Sequence, residues 1–192
     1  MSTRLWLAKV LPFFLISGAL SAATLLGDYA LHRYGLAWVG RYLGIPGVAL
    51  IALSMIYSLR KRKHIAWGKP ATLLAFHEFA AWLGSLLVLV HAGIHCYSLL
   101  PWLAALAMSV NVLSGLVGKL LLASSRQVVN ERRRQLQAEG RSADEIDAQL
   151  FWDSAAVRVM NQWRKVHIPV FIAFVVLALA HIISALLFWS WQ

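Results

Sequence analysis

Five stretches of this chain are apolar for long enough to cross a lipid bilayer, and nothing else in it limits the fold as much. A hydrocarbon core about 30 Å thick takes about 20 apolar residues as a helix, because backbone N–H and C=O groups must be paired internally there. The stretches run from Leu5 to Leu26, from about Leu36 to Leu59, from Pro70 to about Tyr97, from Pro101 to about Ala123, and from His167–Pro169 to the closing Trp189 and Trp191. Hydrophobic residues are 60% of the sequence and mean hydropathy is +0.66, which excludes an ordinary soluble domain. The fold class expected is all-α, a polytopic transmembrane helix bundle of about five spans, with little of the 192 residues left for a nucleotide-binding domain.

The borders of the spans carry their own signals. The first run is read as a retained span, since it lacks a small-residue cleavage site after a short core. The second needs its start near Leu36 to be long enough, which puts Arg41 at an interface, and it stops at the run Arg60, Lys61, Arg62, Lys63. Pro70 and Pro101 stand at favoured first-turn positions of the third and fourth spans. The terminal tryptophans suit an aromatic belt.

A formal charge of +10 invites a nucleic-acid reading, but the basic residues crowd between apolar runs and have no folded polar surface to cover. Arg4 and Lys9, the five from Arg60 to Lys69 and the nine from Lys119 to Lys165 fall on one side of the membrane; only Arg33 and Arg41 fall on the other. The positive-inside rule then puts the N-terminus in the cytoplasm and the C-terminus in the periplasm of a bacterial inner membrane. One membrane domain spans residues 1–192, with 124–166 as a cytoplasmic loop. Within that loop Ser142-Ala-Asp-Glu145 fits a capping box, and Ile146, Leu150, Val157 and Met160 recur near helical spacing, so an amphipathic helix is expected. The cluster Glu131 to Arg134 reads first as a solvated face or a contact for anionic headgroups, and second as a dock for an acidic electron-transfer protein.

Two histidine pairs carry the chemistry. His77 and His91 in the third span are fourteen residues apart, and so are His167 and His181 in the fifth. Fourteen helical residues rise about 21 Å in about four turns, so each pair lies near one face at two depths. Both spans run outward under the orientation above, which levels His77 with His167 and His91 with His181. Ionisable groups inside a bilayer usually face the bundle interior with a function. Neutral imidazole binds iron well, and two imidazoles per iron leave no open position for oxygen. The pattern therefore suits two stacked haems between spans three and five, with these four histidines as axial ligands. Histidines that merely join helices by hydrogen bonds are the plainer alternative, and they explain the repeated interval poorly.

Neighbouring residues have candidate roles. Gly84 lies seven residues from both His77 and His91, on their face, where a missing side chain would admit porphyrin edges; close helix packing would use a glycine equally well. His95, one turn past His91, is an alternative ligand to it, or a group near the outer surface serving either quinone protonation or merely the interface. Arg164 and Lys165 could pair with haem propionates or simply anchor the cytoplasmic end. Glu78 could relay protons or snorkel to the headgroups. His32 and His64 read as solvent-facing. The single Cys96 and the absence of C-x-x-C-H argue against covalent haem attachment.

Histidines fourteen apart on each of two parallel spans resemble those of the diheme b cytochromes, including cytochrome b of the quinol:cytochrome c oxidoreductases. Use of the third and fifth spans is more similar to the transmembrane domain of ferric reductases and NADPH oxidases. In both families the four histidines ligate two b-type haems, and the resemblance carries that role to His77, His91, His167 and His181. It covers Pro70 to Trp191; spans one and two add little to it. The sequence departs from the oxidases in having no flavin or nicotinamide module after span five, and from the quinol enzymes in lacking further spans and a quinol-site motif.

The resulting expectation is a membrane-anchored electron-transfer subunit of an oxidoreductase complex, with two haem b and quinone as a further candidate cofactor. Its partners would be membrane lipid and other redox subunits or a soluble carrier. A histidine-lined metal or proton transporter is one alternative, though such sites gather ligands at one depth and recruit carboxylates or thiolates. A non-catalytic anchor for a cytoplasmic enzyme is the other.

Overall fold

The computed structural model describes residues 10–94 and 99–188. They are almost wholly helical, with no strand among them. The helices are α1 (Leu11–Arg33), α2 (Ala37–Tyr42), α3 (Gly44–Ser54), α4 (Ile56–Lys61), α5 (Pro70–Ile94), α6 (Leu99–Leu116), α7 (Ala123–Ala138), α8 (Ala143–Gln149) and α9 (Phe151–Phe188), with a π-helical stretch Val117–Leu122 between α6 and α7. Five segments are long and apolar enough to span a membrane: Leu11–Arg33, Ala37–Lys61, Pro70–Gly93, Leu99–Ala138 and Phe151–Phe188. This is the all-α, five-span membrane architecture the sequence leads one to expect. His95, Cys96, Trp189 and Trp191 lie outside the described residues.

The chain forms two compact units. The larger comprises Gly18–Val112 and Phe171–Gln192, and the smaller Met1–Ser17 and Leu113–Val170. In the larger unit Val88 of α5, Ala104 and Met108 of α6 and Phe174 of α9 make one buried cluster, with Val48 and Ile51 of α3 packed on it. The outward side chains are as apolar as the inward ones: Leu25 is 71% exposed and Leu187 72%. Such a surface would drive aggregation in water, and lipid is the solvent that accepts it.

Span two, Ala37–Lys61, is three short helices in a row, interrupted at Leu43 and Met55. It turns into α5 through a loop that starts with a reversal at Lys63, where φ is +63°. There the N–H of His64 bonds the carbonyl of Leu59 and that of Lys63 bonds Arg60, a Schellman ending held by a non-glycine residue at a cost of about 1–2 kcal/mol. The same pair of bonds closes α1 at Gly35, with φ of +69°, where glycine meets no such penalty.

The helices α3 and α5 pack antiparallel along a seam of small residues. A Cβ on Gly84 would sit 2.8 Å from the carbonyl oxygen of Gly47, and one on Gly47 would sit 3.0 Å from that of Gly84. Without side chains at either position the two backbones touch, the usual device for helix association in lipid.

In the smaller unit the polar segment is helical nearly throughout. Ser142 caps α8: its hydroxyl accepts from the N–H of Glu145, and the Glu145 carboxylate accepts from the N–H of Ser142, the reciprocal box expected from sequence. Leu136, Ile146 and Leu150 form its small core, Arg133 pairs with Asp147 at 2.7 Å, and Arg126 donates to Asn161. The expected single amphipathic run divides at Leu150, leaving Val157 and Met160 half-buried in α9. From Phe151 the chain then stays helical through Pro169 to Phe188, so the helix that carries the fifth span starts well before His167. Pro169 has no N–H for the carbonyl of Lys165, and the helix tolerates that one missing bond.

Replacing Gly84 by alanine should lower the stability of the detergent-solubilised protein by about 1–3 kcal/mol, because backbone atoms cannot yield as a side chain can. A Cβ on Gly115 meets nothing within 4 Å. Gly115→Ala should therefore raise stability by about 0.5–1 kcal/mol. Thermal unfolding followed by circular dichroism checks both signs.

Candidate functional site

A histidine in a bilayer has two ring nitrogens and no water to satisfy them, so its partners reveal how it is used. The ring of His77, on α5, hydrogen-bonds through Nδ1 to the carbonyl oxygen of Ser54 at 3.0 Å. His91, four turns further along the same helix, bonds through Nδ1 to the carbonyl of Gly40 at 3.1 Å. A carbonyl can only accept, so both rings carry a proton on Nδ1, which makes Nε2 the unprotonated nitrogen of the neutral ring. A bare Nε2 on a ring fixed through Nδ1 is the state in which histidine binds metal.

Both acceptors belong to span two, to which the sequence reading gave no part in the site. They are available because span two is broken. Gly40 and Ser54 lie near the C-terminal ends of α2 and α3, where the regular ladder of carbonyls ends; the Gly40 carbonyl accepts the Leu43 N–H at 3.3 Å and has a second lone pair for the ring. They are also fourteen residues apart, the interval of the histidines they serve, with Gly47 midway opposite Gly84. Antiparallel packing in a constant register thus sets Gly40 against His91, Gly47 against Gly84 and Ser54 against His77. Two more residues of span two touch the rings. Tyr57 lies 5.5 Å from His77 between ring centroids. A Cβ built on Gly44 would approach Cδ2, Nε2 and Cγ of His91 at 2.9, 3.0 and 3.1 Å. Distances so nearly equal put Gly44 over the face of the ring.

Of the four histidines singled out from sequence, His91 and His181 come together in the larger unit. Their ring centroids are 6.1 Å apart with planes tilted by 56°. A metal–imidazole bond of about 2 Å places a ring centroid about 3 Å from the metal, so two imidazoles on opposite sides of one ion have centroids about 6 Å apart. The donor type and the centroid spacing are those expected of two imidazoles that share one metal ion. Among the described residues no group of three His, Cys, Asp or Glu side chains gathers, and a bis-imidazole centre requires none.

His77 and His167 fall in different units, so each is described with its own neighbours. His167, on α9, has its Nδ1 hydrogen-bonded to the hydroxyl of Ser114 on α6. Ser114 is only 2% exposed.

The other candidates divide. Gly84 is buried in the seam with Gly47 and Ile51, so its missing side chain serves helix packing and the expected room for porphyrin edges is filled by α3. Lys165 is exposed and lies two residues before His167, about 200° around the helix from it, which turns it off that face. Arg164, three residues before His167, shares its side of the helix, but its side chain lies outside the described residues, as does His95. Glu78 is half-buried beside His77. His32 is exposed and bonds the carbonyl of Asp28 at 2.9 Å, and His64 is exposed in the loop after α4. A crevice of about 320 Å³ bounded by Gly27, Leu31, Tyr34, Leu43, Leu86 and Val90 is apolar and contains none of these histidines.

Comparisons with protein-family models, with curated proteins and with solved structures match nothing.

The hydrogen bonds make a direct prediction that needs no cofactor. In ¹⁵N-histidine spectra of the membrane-embedded chain, His77 and His91 should appear as Nδ1-protonated tautomers with unprotonated Nε2. Gly44→Val, whose side chain collides with one ring only, should split or shift the His91 signal and leave that of His77 in place.

Proposed function

We propose that this chain is a membrane-anchored diheme cytochrome b, the electron-conducting subunit of a redox complex. The observation that carries the reading is the pair His91 and His181, with centroids 6.1 Å apart and the first ring held at Nδ1 by a main-chain carbonyl. The second haem is assigned to His77 and His167 on the repeated interval of fourteen residues, and it is supported by the matching carbonyl bond at His77. When bound, haem iron supplies one-electron chemistry; the chain's own part is to bind, orient and exclude. Four imidazoles would occupy both axial positions at each iron, which disfavours oxygen binding and favours simple electron transfer. Two such centres about 21 Å apart along the helices would conduct across most of the hydrocarbon core.

The distribution of Lys and Arg supports an orientation with the N-terminus in the cytoplasm and the C-terminus in the periplasm of a bacterial inner membrane. Electrons would pass between quinone or a soluble partner on one side and another carrier on the other. The basic, mostly helical segment between α6 and the membrane part of α9 is the cytoplasmic face available to such a partner.

Expression with haem supply should yield a red protein with two haem b per chain by pyridine hemochrome assay. His91→Ala and His181→Ala should each remove the same one of the two, and His77→Ala and His167→Ala the other. A purified, folded chain that binds no haem overturns the reading; pairwise losses that follow a different grouping overturn the assignment of ligands.

A further inference from the structure

We infer that Ser114 is the positioning residue for His167, and that through it the chain sets the potential of one haem without disturbing the other; the inference rests on the diheme reading above. Three histidine rings are held at Nδ1, and the holders differ in kind. His77 and His91 use main-chain carbonyls of Ser54 and Gly40, whereas His167 uses a side-chain hydroxyl. A carbonyl imposes the Nδ1–H tautomer. A hydroxyl can accept or donate, so it permits that tautomer and supports it more weakly.

For His167 to present a bare Nε2, its Nδ1–H must donate to the Ser114 oxygen. The burial of Ser114, 2% exposed, removes water as a competing partner and fixes the hydroxyl against the ring. The helix that carries it changes from α-helical to π-helical winding at Val117, three residues on, a local irregularity common at functional positions. An acceptor on Nδ1–H makes an imidazole a stronger donor to a metal, which stabilises the ferric state and lowers the potential. Ser114 is thus a holder that a single substitution can delete, whereas the carbonyls of Gly40 and Ser54 remain whatever their side chains are.

The test compares wild type with Ser114→Ala and Ser114→Thr in two measurements. In a spectroelectrochemical titration of the haem-loaded protein, Ser114→Ala should move one of two Nernst waves to higher potential and leave the other in place, while Ser114→Thr, which keeps the hydroxyl, should restore the wild-type wave. In ¹⁵N-histidine spectra of the haem-free chain, His167 should be Nδ1-protonated in wild type and in the Thr variant and should populate both tautomers in the Ala variant. Two haems with both waves unmoved in Ser114→Ala overturn the tuning role. An unchanged His167 tautomer overturns the positioning role. If no variant, wild type included, binds haem, it is the diheme reading that falls, and the tautomer spectra still decide whether Ser114 orients the ring.

Discussion

The structure turns on a requirement that water normally hides: inside hydrocarbon, a ring N–H must find an acceptor within the protein. A regular helix turns each carbonyl along its own axis to the N–H four residues on, so it seldom offers one to a ring on a neighbouring helix. Span two meets the need by being irregular. Its interruptions at Leu43 and Met55 leave carbonyls near the ends of α2 and α3, and His91 and His77 take them. An imidazole N–H left without an acceptor in the membrane would cost about 1–3 kcal/mol, which these two bonds avoid.

This arrangement works only if the helices are close and in register, and the glycines provide both. With Gly47 and Gly84 in contact at the midpoint, α3 and α5 approach to backbone distance. The points seven residues either way along α5 then reach the carbonyls of Gly40 and Ser54. The seam, the breaks and the histidines act as one device. Its result is two rings whose Nδ1 is fixed by a main-chain carbonyl, and in the larger unit one of these rings stands 6.1 Å from His181.

Much of the fold was legible in the sequence. The five spans follow from apolar length alone, and the capping box at Ser142 is a local signal that survives any tertiary context. The histidine interval was legible because helical periodicity converts spacing into a shared face. Less visible was what those faces meet. Gly84 lies on the histidine face, and the sequence could not say whether a cofactor or a neighbouring helix used the space; that depends on Gly47, thirty-seven residues earlier. Gly40 and Ser54 act through main-chain oxygens, which no residue type advertises, although their fourteen-residue spacing around a central Gly47 mirrors that of the histidines. Ser114 was hidden for a similar reason, since one serine in an apolar span usually bonds its own helix.

That the holders of His77 and His91 are main-chain oxygens has a genetic consequence. Exchange of side chains at Gly40 or Ser54 does not delete an amide carbonyl, so the part that span two plays through those two positions would not show up as the loss of a side-chain group. Its vulnerability lies in length: one residue inserted or lost between Gly40 and Ser54 would put the two carbonyls out of step with the two imidazoles, and no choice of residue could bring both back into line.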